Sequence, residues 1–281
     1  MNKYLIFFDS SNENLSDVIA KLLHIKNNNK VDFYILPHQN EFCDNFSVID
    51  SKTKPDCILV FGGDGTILRA VRNALNYCVP VLGVNLGHLG FLTEISLEEL
   101  EKSLIALKNK KFKILSRMML KVSLYRKNKS VVNDLALNDA VISKGEKPKL
   151  INIRVYSNRR YVFSTRCDGI IAASPTGSTA YSLSAGGPII SPVMDAIVVV
   201  PITPHVLTVR PIVFPANSNI SFVIEPEAEM SWLQLDGINQ EFLFPGDKVT
   251  ITSADRKVDF IKLTNRTFYK TLRNKMHLGK R

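Results

Sequence analysis

The stretch Phe61-Gly62-Gly63-Asp64-Gly65-Thr66 constrains this chain more than any other. An apolar run, Cys57–Phe61, leads into three glycines around one aspartate. A helical pattern follows at Ile67, Leu68, Ala70, Val71, Ala74 and Leu75. Strand, glycine turn and helix in that order belong to an α/β layer. Glycine lets backbone N–H groups approach a phosphate, and a helix N-terminus favours its charge. An anion site that also carries an acid points to a base, or a metal contact, where phosphate chemistry occurs.

The first hundred residues alternate strand and helix signals. Lys3–Phe8 reads as a first strand rather than a secretory signal. Leu15, Val18, Ile19, Leu22 and Leu23 form a helical stripe, and Val31–Leu36, Cys57–Phe61 and Val79–Val84 read as strands. Ser96 and Glu99 make a capping box for a helix to about Lys108. This alternation predicts a parallel sheet with helices on both faces. Near Lys113 the character changes. Leu120–Tyr125 and Ile151–Tyr156 alternate with period two, Ser157–Arg160 reads as a hairpin turn, and Pro245-Gly246-Asp247 as another turn. Eight of the thirteen prolines fall between Pro175 and Pro226, which argues against long helices there. The expected organisation is an α/β domain over 1–113 with a parallel sheet, and a mostly-β domain over 114–265. A last helix over about 266–281 is expected to return to the first domain.

No run of 18 apolar residues occurs, so no membrane span is expected. Cys43, Cys57, Cys78 and Cys167 are scattered without a C-x-x-C pair, which suits packing in a reducing, cytoplasmic setting. The net charge is +10, and residues 256–281 hold nine Lys or Arg against Asp259 alone. A basic tail can bind nucleic acid. Phe268, Leu272 and Met276 recur every four residues, however, and favour a solvated helix face, so nucleic acid is not the expected partner. A positive field also suits a polyphosphate substrate. Neither G-x-x-x-x-G-K-[ST] nor G-x-G-x-x-G is present.

Three further stretches carry chemistry. Gly83-Val84-Asn85-Leu86-Gly87-His88-Leu89-Gly90-Phe91-Leu92 follows a strand, so it falls at the same sheet end as Gly63-Asp64-Gly65. Ligands of open α/β sheets bind outside that end, although the glycines alone would also suit a tight turn. Arg166 to Pro188 is rich in small hydroxylated residues. Thr176-Gly177-Ser178-Thr179 offers hydroxyls and amides ahead of a short helix, which suits phosphate or ribose oxygens, or a polar turn. Tyr181 could stack on a planar ring. Asn138-Asp139 offers an amide beside a carboxylate. That pair can hold a ribose, and it also suits a strand-end turn.

Together these pieces resemble the NAD kinase family. Gly62–Thr66, Asn85–Leu92, Asn138-Asp139, Asp168–Pro188, Thr203-Pro204-His205 and Asp236-Gly237 stand in that family's order and rough spacing, over about residues 57–250. The resemblance implies phosphoryl transfer from ATP or polyphosphate to the 2′-hydroxyl of the adenosine ribose of NAD. It implies Asp64 as the catalytic base, Gly62, Gly63 and Gly65 at the phosphates, and Arg69 as a basic contact. By the same resemblance, Asn138 and Asp139, Arg166, Asp168, Thr176, and Thr179, Ala180, Tyr181, Ser182, Leu183 and Ser184 are NAD contacts, with Asn85 and Lys149 as further candidates. The family usually has Asn-Glu where Asn138-Asp139 stands, and often Gln where Ile238 stands. A divalent cation, Mg²⁺, would bridge the donor phosphates without a protein metal motif. A homodimer or homotetramer joined through the β domain is also implied. The rival readings are a lipid kinase of the diacylglycerol or sphingosine type, a phosphofructokinase-like sugar kinase, and a non-enzymatic nucleotide sensor or nucleic-acid binder.

Overall fold

A computed structural model of the protein describes residues 1–29, 31–87, 90–145, 149–225 and 231–277. His88, Leu89, Lys280 and Arg281, singled out above, lie outside the described residues. The chain forms two compact units, Met1–Ser116 with Val258–Arg281, and Arg117–Lys257.

In the first unit the order is β1 (Lys3–Phe8), α1 (Leu15–Asn29), β2 (Asp32–Ile35), β3 (Ser47–Val48), β4 (Cys57–Phe61), α2 (Asp64–Tyr77), β5 (Val81–Asn85), β6 (Thr93–Ser96), α3 (Leu100–Lys108) and β7 (Lys113–Arg117). In the second unit come β8 (Leu120–Arg126), β9 (Lys129–Ala136), β10 (Asp139–Lys144), β11 (Ile151–Ser157), β12 (Arg160–Cys167), β13 (Gly169–Ala173), α4 (Tyr181–Ser184) and β14 (Ala196–Ile202). The same unit continues with β15 (Ile212–Pro215), β16 (Ile220–Ile224), β17 (Ser231–Leu235), β18 (Asn239–Leu243) and β19 (Lys248–Ser253). Strand β20 (Val258–Lys262) and helix α5 (Phe268–Met276) complete the first unit.

The first unit is built on one eight-stranded sheet in the order β3-β2-β1-β4-β5-β20-β7, with β6 also paired to β5. Its pairs β2–β1, β1–β4, β4–β5 and β5–β6 are parallel. Strand β4 is buried at all five positions, as a parallel strand covered on both faces must be. Helix α2 buries Thr66, Ile67, Ala70, Val71 and Ala74, one face of a 3.6-residue repeat. It ends where Cys78 turns left-handed at φ 53°. Ahead of α3, the Ser96 N–H donates to the Glu99 carboxylate at 2.9 Å, one half of the expected capping box.

The second unit is a sandwich of two six-stranded antiparallel sheets, β15-β14-β13-β10-β17-β18 and β12-β11-β16-β19-β8-β9. Val122, Leu124, Ile153, Phe222 and Ile251 of one sheet share a core with Ile142, Ile170, Ala172 and Val199 of the other. Asn158 and Arg159, at φ 50° and 67°, form the primed turn of the β11–β12 hairpin that the sequence predicts. The outer face of β10, β13 and β14 (Val141, Ile171, Ala173, Val198 and Val200) is covered by Ile190. The β domain expected over 114–265 took in the residues of β20. Instead β20 pairs with β5, Phe260 opposite Val81, so the return to the first unit begins ten residues before α5. A five-residue strand carries too short a pattern to say which sheet takes it.

Candidate active site

In the first unit, β4 is followed by Gly62, whose N–H donates to the Val84 carbonyl of β5 at 2.9 Å. Gly63 caps α2 in extended conformation, and its carbonyl accepts from Thr66 and Ile67 at 3.1 and 3.2 Å. A Cβ added at Gly63 or Gly65 would meet nothing within 4 Å. The backbone at Gly63 and Gly65 is therefore open to approach at the start of α2, where an anion gains most from the helix dipole.

Asp64, the first residue of α2, turns its carboxylate to the loop after β5. Oδ2 accepts from the Phe91 N–H and Oδ1 from the Leu92 N–H, both at 2.9 Å. The two glycine loops expected at one sheet end are thus tied together by this side chain. Gly90 is dictated by the same contact, since a Cβ there would fall 1.9 Å from Asp64 Oδ1. Each oxygen keeps a second lone pair, and the Asp64 side chain is 30% exposed. Lys275 of α5 places Nζ 3.8 Å from Asp64 Oδ2 and 4.9 Å from the Phe91 ring centroid. Phe91 in turn lies 6.2 Å from Phe268 of α5.

Arg69, one turn into α2, is ion-paired with Asp9. The Ser11 hydroxyl and amide, with Arg69, hold the Asp9 carboxyl below the usual range. Asn85 spends its side chain on its own loop, donating to the Gly87 carbonyl and accepting from the Gly87 N–H, both at 2.9 Å. Arg69 thus ties α2 to the segment after β1, and Asn85 braces the loop after β5.

In the second unit, Asn138 and Asp139 stand where β10 begins. Asp236 accepts the backbone N–H groups of Leu137, Asn138 and Asp139 at 2.7, 2.7 and 3.1 Å. Asp139 is 5% exposed. Burial, and then the charge of Asp236, push its carboxyl up to about 7. The fold therefore favours protonated Asp139. The stability this carries is complete below the ordinary value of 3.8 and is lost as pH rises through about 7.

The Thr176–Thr179 turn packs directly on this corner. The Ser174 N–H donates to the Asn138 carbonyl at 2.8 Å, and a Cβ on Gly177 would fall 2.1 Å from that same oxygen. Ser178 Oγ donates to the Pro175 carbonyl at 2.7 Å and accepts from the Ile190 N–H at 3.0 Å. Thr179 donates to the Thr176 carbonyl at 3.3 Å. The short helix expected after this turn is α4. Tyr181 and Ser184 are exposed there, Ala180 and Leu183 half-buried, and the Ser182 Oγ is buried without a hydrogen-bond partner among the described residues.

Arg166 and Asp168 are placed elsewhere. Asp168 precedes β13, whereas Ala173 at the far end of β13 pairs with Asp139. Five strand residues separate the two clusters by about 17 Å. At its own end Asp168 meets Lys144 Nζ at 2.6 Å and the Thr203 hydroxyl, and these two contacts hold its carboxyl below the usual range. The carbonyl of exposed Arg166 accepts from His205 N–H at 2.8 Å. Lys149 is exposed. Sequence reasoning missed Lys275 as a partner of Asp64 and Asp236 as the anchor of Asn138-Asp139. In the sequence Asp236-Gly237 stood only among the landmarks of the resemblance, with nothing to show what it holds.

Residues 20–112 match the family model of the ATP-NAD kinase N-terminal domain, and residues 137–263 that of the C-terminal domain. The NAD kinase of Desulforamulus reducens is 45% identical over 221 residues, covering 79% of this chain and 77% of that protein. That of Carboxydothermus hydrogenoformans is 42% identical over 234 residues, 83% and 84% of the two chains. Among solved structures, yeast NADH kinase complexed with NADH superposes with a TM-score of 0.89 at 26% identity, covering 100% of this chain and 89% of the other. The NAD kinase of Archaeoglobus fulgidus in complex with ATP gives 0.73 at 25% identity, covering 98% of each. With both domains matched and relatives above 40% identity, the chain belongs to the NAD kinase family, which transfers phosphate from ATP to NAD, and not to the lipid or sugar kinases.

Proposed function

We propose that Asp64 is the general base of this reaction, taking the proton of the 2′-hydroxyl of the adenosine ribose of NAD as that oxygen bonds to the γ-phosphorus of ATP. The bond from the γ-phosphorus to its bridging oxygen breaks, and ADP leaves. The observation that carries this reading is the anchored Asp64 carboxylate. Two backbone amides fix it at the start of α2 and leave a lone pair on each oxygen for a proton. Phosphoryl transfer depends mainly on alignment and charge neutralisation. Gly62, Gly63 and Gly65 serve the phosphates through their backbone, and Lys275 adds a positive charge beside Asp64. Asn138 and Asp139 hold a ribose. Thr176, Tyr181 and their neighbours on α4 line the same dinucleotide face of the second unit.

Among the described residues no group of three or more His, Cys, Asp or Glu is placed to grip an ion. One carboxylate beside open glycine backbone fits a divalent cation, Mg²⁺, held mainly by donor phosphates and water. Asp64 would meet it through water, and the ion would supply charge neutralisation. No described helix is long and apolar enough to cross a membrane. We assign the enzyme to the cytoplasm as a homodimer or homotetramer. The separation of the Asp168 and Asp139 clusters supports an assembly in which the two ends of β13 serve different dinucleotides.

The test is direct: incubate the protein with NAD, ATP and Mg²⁺ and measure NADP with an NADP-specific dehydrogenase, with polyphosphate and NADH as parallel trials. Absence of NADP in every trial would sink the reading. Gly63→Val tests the phosphate site separately. Its φ of −89° and the open space at its Cβ allow the side chain to fit the folded protein. The valine would occupy the anion's position. The expected result is an unchanged melting temperature with KM for ATP raised at least about tenfold, a loss near 1.4 kcal/mol.

A further inference from the structure

The turn that carries Asn138 and Asp139 is held from far away in the chain. Asp236 Oδ2 accepts from the Leu137 N–H at 2.7 Å, and Oδ1 accepts from Asn138 at 2.7 Å and Asp139 at 3.1 Å. A return bond runs from the Asp236 N–H to the Asp139 carbonyl at 3.0 Å. Asp236 is itself fixed by the backbone. It stands at φ 53° and Gly237 at φ 67°, the left-handed pair of a primed turn between β17 and β18, closed by Ile238 N–H to the Leu235 carbonyl at 2.9 Å.

Turn chemistry alone does not explain this aspartate. Asparagine satisfies a primed turn equally well and would avoid setting a negative charge beside Asp139. Only a carboxylate offers acceptors to all three amides at once, because the amide of asparagine would turn a donor toward one of them. Three N–H groups converging on one carboxylate give short, charge-assisted bonds and a rigid corner.

We propose that Asp236 is a positioning residue for the dinucleotide: by gathering the amides of Leu137, Asn138 and Asp139 it fixes the corner that presents the Asn138 amide and the Asp139 carboxyl to a ribose. The proposal rests on the assignment of Asn138 and Asp139 as ribose contacts. It also predicts how recognition responds to pH. On β13 the residue opposite Asp139 is Ala173, and from the β17–β18 turn the facing group is Asp236, the one charged neighbour among the described residues that acts on Asp139. Its negative charge opposes ionisation of Asp139. Ionised Asp139 can accept from two ribose hydroxyls, whereas the protonated acid accepts fewer. Affinity for NAD then rises with pH as Asp139 ionises, and removing the Asp236 charge moves that rise to lower pH.

The experiment compares wild type, Asp236→Asn, Asp236→Glu and Asp139→Asn, with KM for NAD and for ATP measured between about pH 5.5 and 8.5. For Asp236→Asn the expected result is KM for NAD raised roughly tenfold or more, with kcat and KM for ATP within about twofold. The limb of kcat/KM for NAD should shift to lower pH. Asp236→Glu keeps the charge but moves the carboxylate one methylene off the amides, so KM for NAD should rise with the limb in place. The proposal is overturned if the Asp236→Asn pH profile superposes on wild type, if KM for ATP rises as much as KM for NAD, or if Asp236→Glu binds NAD normally. Loss of folding in Asp236→Asn leaves the Asp236→Glu result to decide. An Asp139→Asn enzyme with unchanged KM for NAD would instead sink the ribose-contact assignment itself.

Discussion

Asp64→Asn is expected to lower turnover by about 10²–10⁴-fold, the usual worth of a positioned base. The amide cannot take the hydroxyl proton at neutral pH. It also disturbs the corner that Asp64 builds. The carboxylate accepts from Phe91 and Leu92 through different oxygens, so asparagine must turn its NH₂ toward one of those N–H groups. That mismatch costs about 1–3 kcal/mol. The kinetic effect is therefore measured on protein shown to be folded by circular dichroism, with kcat taken from NADP formation at saturating NAD and ATP. Near-normal turnover in a folded variant would remove Asp64 from the chemistry.

Glu94→Ala is expected to give the largest loss of stability. Glu94 is 6% exposed on β6. Oε1 accepts from the Leu263 and Thr264 N–H groups at 2.9 and 2.6 Å, and Oε2 lies 2.7 Å from Lys262 Nζ and 3.7 Å from Arg266. This one carboxylate fastens the segment between β20 and α5 to the first unit. Removing it leaves Lys262 and Arg266, each 18% exposed, without their counter-ion and the two amides without their acceptor. Breaking a buried pair from one side costs about 3–5 kcal/mol. At about 2–4 °C per kcal/mol, the melting temperature should fall by roughly 10 °C. Activity should fall with it, because α5 carries Lys275 to Asp64. A melting temperature within a degree or two of wild type would show that the segment is held by its apolar packing instead.

Much of the corner around Asp64 was legible because its determinants are local. Strand β4, the glycine turn and α2 follow one another within twenty-one residues, from Cys57 to Tyr77, and each is specified by its own pattern of apolar, glycine and helix-forming residues. The Asn158-Arg159 turn and the Ser96–Glu99 bond ahead of α3 were readable for the same reason, although the helix itself starts only at Leu100. Lys275 was not. In the sequence it is one of nine basic residues over 256–281, where a solvated helix face was the natural reading. Glu94 passed unremarked beside the glycine cluster, since nothing near it in the chain is its partner; Lys262 lies 168 residues on.

Residue types and their spacing alone determined the two kinds of layer, the glycine loop with its single acid, and the family to which the chain belongs. Tertiary structure decided which strands return to the first unit, that Asp64 ties two loops, that Asp236 holds Asn138-Asp139, and that the Asp168 and Asp139 clusters stand at opposite ends of β13. The physical reason is range. Backbone preferences and hydrophobic periods act over a few residues and leave a mark in the chain. A carboxylate bonded to amides 97 to 99 residues earlier leaves none, because every residue but proline carries the same N–H.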